Sequence, residues 1–214
     1  MSDVLAELRA AILRGEYAPR QRLIENELVE RYGTSRFVLR NALTGLANEG
    51  LVELQPNRGA RVREISVDEA IEITEIRRAV EGLAAARAAE RITDAEIAEL
   101  RALGAEMTAV VNQPDMLRYS ELNAQLHAKV RSIARHASAT KIIEQLNGQM
   151  VRHQFRLSLM PGRPSVSLPE HLAIIEAVCA RDPAGAEGAM RAHLTSVIEA
   201  LVTFAASYTS RSAL

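Results

Sequence analysis

The sequence predicts a mostly α-helical protein in two parts. These are a small unit of three helices and a hairpin at residues 1–65, and an all-α domain of about six helices at residues 66–214. Apolar residues recur at helical spacing through almost every long segment. Alternation typical of β-strands is confined to "LVELQPNRGARVREI", on either side of the turn-prone "PNRG". After residue 66 only helical patterns remain, so the hairpin belongs to the first part.

Each predicted helix of the first part ends at a glycine. The apolar stripe of the first helix stops near Gly15, and the short second helix ends at Gly33. Thr34 or Ser35 can cap the third helix, which runs to Gly50. The order helix, helix, short turn, helix and two-stranded wing is that of a winged helix-turn-helix.

Capping sequences and prolines divide the second part into helices. "SVDE" at 66–69 and "TDAE" at 93–96 both match the capping box, in which a hydroxyl and a glutamate satisfy helix-start amides. "RDPAG" places Asp182 at a cap and Pro183 at a first helical position. The later helices are predicted at about 115–135, 138–160, 168–180 and 183–208, with "PGRPS" at 161–165 as a break.

Composition is typical of a soluble globular protein. The chain has 214 residues, of which 48% are hydrophobic and 25% charged, and its net charge of −1 gives no overall attraction to nucleic acid or membrane. No apolar run approaches the roughly 18 residues of a membrane span, and the N-terminus lacks a secretory pattern. The single Cys179 excludes an internal disulfide and follows an apolar stripe, so we expect a buried thiol. These features predict a cytoplasmic protein.

The local charge of the first part is positive. Between Arg31 and Arg63 the chain has six arginines and two glutamates. In a winged helix-turn-helix the third helix enters the major groove by its N-terminus. Arg36 and Arg40 are one turn apart, so both can face the groove while Val38, Leu39 and Leu43 pack inward. Arginine pairs with guanine or phosphate; the alternative is a helical unit whose arginines are merely solvated.

The stretch "GEYAPRQRLIENELVERYGTSRFVLRNALTGLANEGLVELQPNRGARV" resembles the N-terminal domain of GntR-type transcriptional regulators, over roughly residues 15–63. The chain departs from the family pattern at Arg20, where glycine is usual, at Phe37-Val38 in place of Thr-Pro, and at Asn41 in place of glutamate. The resemblance implies DNA contacts from the third helix and the wing. The predicted set is Thr34, Ser35, Arg36, Arg40, Asn41, Arg58 and Gly59.

Three of the five histidines lie on inward-facing stripes of separate helices: His127, His171 and His193. One such histidine is usually structural, but imidazoles from facing helices are also how helical bundles build metal sites. Asn123 lies one turn before His127 on the same face. Three neutral imidazoles suit Zn, Ni, Fe or Cu rather than Mg or Ca. Spacing alone leaves the metal and structural interpretations equally open, and the remaining histidines, His136 and His153, are interpreted as ordinary polar residues.

Four segments of the second part resemble the FCD effector domain of the FadR-type branch of GntR regulators, in its shorter VanR-like form: "RRAVEGLAAARAA", "NAQLH", "PEHLAIIEAV" and "RDPAGAEGAMRAHL". Many members bind a divalent metal through an acid and three histidines. Carried onto this chain, the ligands are Asn123, His127, His171 and His193, with Zn or Ni expected. Asparagine in place of the acid removes one negative charge from the site. The change predicts a lower affinity for the metal and a stronger electrostatic attraction of the site for an anionic effector.

Two arginines are candidates for holding the carboxylate of an effector, Arg78 and Arg152, because arginine grips carboxylates bidentately. For Arg78 a salt bridge to Glu75 or Glu81 is an equally good interpretation. No acid is evident beside the histidines in these motifs, so the sequence offers no general base.

The leading hypothesis is a transcriptional regulator, not an enzyme, that binds a palindromic operator as a homodimer. It would repress a catabolic operon until a small carboxylate binds near a metal in the second part, and the connector "REISV" at 63–67 would transmit the change. One alternative is a helical metalloenzyme that uses the three histidines and an open coordination position. Another is a metal-free regulator of the same family.

Overall fold

The computed structural model describes residues 3–55, 59–111, 116–158 and 160–211, except for the side chains of Met116, Arg152, Phe155, Arg156, Ser158 and residues 207–211. The chain forms two compact units. The first comprises Met1–Ser66 with the short segment Asn147–Val151, and the second comprises Val67–Leu146 with Arg152–Leu214. None of the described helices is both long and apolar enough to cross a membrane.

The first unit contains three helices and a small antiparallel sheet. Its elements are α1 (Val4–Leu13), β1 (Arg22–Leu23), α2 (Glu25–Tyr32), α3 (Arg36–Asn48), β2 (Val52–Gln55) and β3 (Gly59–Val62). The sheet order is β1-β3-β2, with Val52 opposite Val62 and Leu23 opposite Ala60. The hairpin of β2 and β3 agrees with the predicted wing. Strand β1 was not predicted, because two residues are too short to show alternation.

The start of α3 follows from the residues before it. Gly33 ends α2 in the left-handed region, with φ of 57°, which glycine adopts without a steric penalty. Ser35 is the cap of α3, because its hydroxyl accepts from the amide of Val38 at 3.2 Å. Leu39, Leu43 and the rest of the inner face pack against α1 and the sheet. The exposed face of α3 is thereby fixed.

The position where the family pattern has glycine adopts a backbone that favours glycine. Arg20 lies in the left-handed region, with φ of 62°, and its guanidinium forms an ion pair with Glu64. An L-residue in this region is uncommon, which explains why glycine is usual there.

Six helices are described after Ser66, and all of them except the segment Asn147–Val151 belong to the second unit. They are α4 (Val67–Arg91), α5 (Asp94–Val110), α6 (Met116–Ala134), α7 (Ala137–Ser158), α8 (Arg163–Cys179) and α9 (Pro183–Arg211). Helix α4 packs along α9 and α6, and α8 packs against α9 and α5. The mostly α fold with a winged N-terminal unit is therefore as predicted.

Two predicted helix starts are confirmed and one is corrected. Thr93 and Glu96 form a reciprocal capping box, and the Asp182 carboxylate accepts from the amide of Gly185 at 3.0 Å. Helix α8 begins at Arg163, inside the segment predicted to be a break, because Pro164 lies in its first turn, where a missing amide costs little. Cys179 is buried as expected, and burial raises the pKa of its thiol.

Candidate functional site

The first candidate surface is the exposed face of α3. Ser35, Arg36, Arg40 and Asn41 are exposed, whereas Thr34 is half-buried. This is the face that a winged helix-turn-helix turns toward DNA. The predicted inward position of Val38 is wrong: its side chain is 39% exposed, because it lies one residue before the buried Leu39 and so turns about 100° away from the core.

Both arginines are held by the start of α2. Arg36 donates from Nη2 to Oδ1 of Asn26 at 3.1 Å. Arg40 donates from Nε to both carboxylate oxygens of Glu25, at 3.1 and 3.2 Å. These two partners were not found from the sequence, since nothing in the spacing relates α2 to α3. The guanidinium groups are therefore ordered before any ligand binds.

An exposed phenyl ring, that of Phe37, follows Arg36 directly at the start of α3. Phe37 is 74% exposed, the largest fraction among the large hydrophobic side chains of the described residues. An apolar side chain at the start of a recognition helix can contact the methyl group of thymine. A groove of about 590 Å³ lies beside this face, lined by Glu25, Asn26, Arg40, Thr44, Gln55 and Gly59 among others.

The wing is described only in part. Gly59 begins β3 with φ of 81°, and a side chain there would approach the backbone oxygen of Leu23 at 3.4 Å. Arg58 lies outside the described residues, so its predicted contact stays a prediction.

The second candidate site is a cluster of three buried histidines. His127 on α6, His171 on α8 and His193 on α9 are 9%, 1% and 4% exposed. One nitrogen from each ring lies within 4.8 Å of the others. The ring centroids are 5.8 Å apart for His127 and His171, 5.2 Å for His127 and His193, and 4.5 Å for His171 and His193. Helices α6, α8 and α9 thus bring their imidazoles together.

A polar partner orients each ring through its Nδ1 atom. His127 Nδ1 lies 2.9 Å from Oε2 of Glu81, and His193 Nδ1 lies 2.9 Å from Oε2 of Glu170. His171 Nδ1 lies 3.1 Å from the hydroxyl of Tyr119. Engaging Nδ1 leaves Nε2 as the nitrogen that can ligate, which is the arrangement found around metal-binding histidines.

Each of the two glutamates is balanced by an arginine. Arg77 and Glu81 form a buried ion pair at 2.8 Å, and Arg163 lies 3.4 Å from Glu170. The expectation that no acid lies beside the histidines is therefore wrong. Both acids stand in the quoted motifs, but each contacts a histidine of another helix, so the motifs did not reveal the pairing.

Burial favours the neutral form of two of the imidazoles, those of His171 and His193. Burial lowers the pKa of His171 well below its ordinary value, and the neighbouring His193 and His127 act in the same direction. Burial also lowers the pKa of His193 to about 4, although its bond to Glu170 opposes the shift. Burial alone would raise the pKa of Glu81, but Arg77 and His127 outweigh it and hold that pKa far below the usual range. These two rings thus present lone pairs near neutral pH, as a metal requires.

Three buried side-chain polar atoms lack a hydrogen-bond partner among the described residues: Oδ1 of Asn123, Nη1 of Arg131 and Nε2 of His171. Asn123 and His127 are one turn apart on α6. Three imidazoles and an amide oxygen without a hydrogen-bond partner fit a borderline transition metal such as Zn or Ni. The residues present therefore fit the implied metal.

Only one of the two predicted effector arginines, Arg78, has a described side chain. Arg78 is half-buried and donates to the hydroxyl of Thr195 at 3.3 Å. Glu81, its alternative partner, pairs instead with Arg77, the inward-facing neighbour. The side chain of Arg152 lies outside the described part of the structure. Both effector assignments stay predictions.

The other two histidines are not members of the cluster within the described residues. His136 caps α7, because its Nδ1 accepts from the amide of Ala139 at 3.2 Å. His153 is buried, at 6% exposure.

Comparison with known proteins agrees with both halves of the structure. The model described as "Bacterial regulatory proteins, gntR family" matches residues 1–62, and the "FCD domain" model matches residues 72–196. The HTH-type transcriptional repressor RspR of Escherichia coli K12 is 30% identical over 194 residues, which cover 91% of this chain and 85% of that protein. The probable D-xylose utilization operon transcriptional repressor of Paenarthrobacter nicotinovorans is 27% identical, with 82% and 77% covered.

Solved structures share the fold. E. coli McbR/YncC has a TM-score of 0.75 at 24% identity, covering 94% of this chain and 95% of that one. The putative transcriptional regulator GntR from Rhodococcus sp. RHA1 has a TM-score of 0.66 at 22% identity, with 94% and 96% covered. The family and its named relatives are transcriptional regulators rather than enzymes, which removes the metalloenzyme hypothesis. The chain belongs to the gntR family of bacterial regulatory proteins, among those members that carry an FCD domain.

Proposed function

We propose that this regulator is a repressor that binds operator DNA as a homodimer and releases it when a small carboxylate binds near a metal in the FCD domain. The observation that carries the proposal is the cluster of three buried histidines with oriented Nδ1 atoms. The repressor role is supported by two relatives whose names call them repressors. A regulator of bacterial DNA acts in the cytoplasm.

In this proposal the exposed face of α3 reads the major groove. Arg36 and Arg40 give up their hydrogen bonds to Asn26 and Glu25 and bind bases or phosphates instead. Thr34, Ser35 and Asn41 contact the DNA beside them. Arg58 and Gly59 contact the backbone or minor groove from the wing. Arginine is suited to this exchange because its fork matches guanine and phosphate equally well.

Asn123, His127, His171 and His193 hold the metal in the same proposal. A bound divalent ion supplies positive charge and open coordination positions for the oxygens of an acid. The chain's own residues orient the ligands: Glu81, Glu170 and Tyr119 fix the rings, and Arg77 and Arg163 fix the glutamates.

The metal-free regulator is the second candidate, and the neutral Asn123 is the observation that favours it. With three neutral imidazoles and an amide, the site brings no negative charge of its own to a cation. Metal analysis of the purified protein separates the two candidates.

Effector binding alters DNA affinity only if the two ligands favour different states of the protein. Footprinting of the purified protein on the DNA upstream of its own gene tests the proposal, because regulators of this kind bind near the genes that they control. A protected palindrome that disappears with a small carboxylate is expected. Absence of any protection at low salt would contradict DNA binding.

Converting Asn123 to Asp tests the proposed fourth ligand. The new carboxylate adds a negative charge at an oxygen that already lies buried without a partner. We expect zinc affinity to rise about tenfold, equivalent to about 1.4 kcal/mol, in a chelator competition titration. Gln125→Glu adds the same charge on the exposed face of α6 and should leave affinity unchanged. Equal affinity in the Asp variant and the wild type would mean that the site is three histidines and water.

Replacing Phe37 with Ala tests its contact with the operator. The ring is exposed at the start of α3, so its loss removes apolar contact without creating a cavity. We expect specific binding to weaken by about 1–3 kcal/mol, the usual effect of one mismatched base pair, while binding to unrelated DNA stays the same. Ile76→Ala, an exposed side chain of the second unit, is the control. A parallel loss on both DNAs would show that Phe37 supports α3 rather than reading sequence.

A further inference from the structure

The buried side-chain atoms that lack a hydrogen-bond partner within the described residues belong to two residues of α6 and to one histidine of the cluster. On α6, Asn123, His127 and Arg131 succeed one another at four-residue intervals and therefore share a face. Oδ1 of Asn123 and Nη1 of Arg131 are two of the three unpartnered atoms within the described residues. The third, Nε2 of His171, belongs to a ring whose centroid is 5.8 Å from that of His127. Leaving such groups unpaired is costly, so each calls for a ligand.

The three atoms require different kinds of ligand. Oδ1 of Asn123 and Nε2 of His171 present lone pairs, which a metal ion accepts. Nη1 of Arg131 is a cationic donor, so a metal ion would repel it and only an acceptor can satisfy it. One ion alone therefore leaves the site incomplete.

Among the described residues no carboxylate forms an ion pair with Arg131. Glu81 already has a partner at each carboxylate oxygen, because Oε1 accepts from Arg77 and Oε2 lies 2.9 Å from Nδ1 of His127. Two arginines then face one glutamate, which leaves one positive charge in excess. Glu81 and the exposed Glu144 attract Arg131 electrostatically, without a hydrogen bond to it. A partly buried, uncompensated guanidinium favours an anion over a neutral ligand.

We propose that Arg131 is the anchor for the acid group of the effector, and that the same small carboxylate also reaches the metal held by His127, His171 and His193. This assignment rests on the proposed function and refines it. The long side chain of Arg131 leans toward the N-terminal end of α6, that is, toward His127. Arg78 donates to the hydroxyl of Thr195, and its role as an effector contact stays a separate prediction.

The test is calorimetric titration of the full-length, zinc-loaded protein with malate, succinate and citrate, and with xylose as a neutral probe. At least one acid should bind the wild type, and xylose should not. Arg131→Gln should weaken that acid about 10- to 100-fold, since a hydrogen bond to a charged group contributes about 1.5–3 kcal/mol. Its zinc affinity should not fall. Arg118→Gln is the control, because Arg118 is an ion-paired arginine in the first turn of α6.

Arg131→Lys is a second variant that tests the role of Arg131 if Arg131→Gln does not fold. It retains the charge but loses the planar fork, so acid binding should fall less than in Arg131→Gln. The inference is overturned if xylose binds as well as the acids, if no acid binds the wild type, or if both Arg131 variants bind the acid as the wild type does. A footprint on the upstream DNA is independent: its absence, with acid binding still dependent on Arg131, would remove the proposed function and leave this assignment intact.

Discussion

Replacing His127 and His171 together with alanine is expected to abolish metal binding. The two rings supply two of three converging nitrogens within 4.8 Å, and their removal leaves one imidazole and one amide. Removing only an outer partner of a ligand already costs about 10- to 100-fold in affinity, so loss of two ligands should exceed that. The measurement is zinc content after dialysis against a weak chelator, together with a competition titration.

His136→Ala is the matched control, because His136 caps α7 and lies outside the cluster. It should retain one metal per chain. Circular dichroism of the double variant checks that the helices persist, since two buried rings are lost. A folded double variant that still binds one metal per chain would show that the histidines are core residues and not ligands.

Replacing Arg36 and Arg40 with alanine is expected to abolish operator binding. Both guanidinium groups lie on the exposed face of α3 and are already ordered by Asn26 and Glu25. A bidentate contact to a base contributes about 1–3 kcal/mol to discrimination, so the pair should cost about 100-fold or more in gel-shift titrations. Zinc affinity should not change, because the histidine cluster is built entirely from residues of the second unit.

The control carries the same change of charge elsewhere: Arg87→Ala with Arg101→Ala, on α4 and α5. Salt dependence then separates base contacts from phosphate contacts. Loss of a phosphate contact lowers the slope of log K against log salt by about one for each arginine and weakens all sequences alike. A double variant that binds operator with wild-type affinity would remove α3 as the recognition helix.

The fold could be predicted because its signals are local. Ser35 sits beside the amide that it caps, and Thr93 lies three residues from Glu96, so capping is visible in the sequence. Strand β1 was missed because its pairing with β3 joins residues nearly forty positions apart and only two residues take part. Pairing of that kind leaves no periodicity to detect.

Of the candidate metal site, the sequence predicted the three histidines but not the residues that contact them. Helical spacing turned His127, His171 and His193 inward, but no spacing could show that they converge. Their supports came from other helices: Tyr119 and Glu81 lie 52 and 46 residues from the rings that they contact. Arg77 and Arg78 differ by one position, or about 100° around α4, which decides which of them is buried. The position of Arg131 on the same face as His127 could have been predicted, because it follows His127 by four residues on one helix.

The most direct test of the coupling between the two units is fluorescence anisotropy on the footprinted operator, with the metal site loaded or stripped and with or without the bound carboxylate. Linkage requires the acid to weaken operator binding, and operator DNA to weaken acid binding by the same factor. We expect both effects in the zinc-loaded wild type and neither in the His127→Ala, His171→Ala variant. Operator affinity that is identical with and without acid, in a protein shown to bind that acid, would contradict the account.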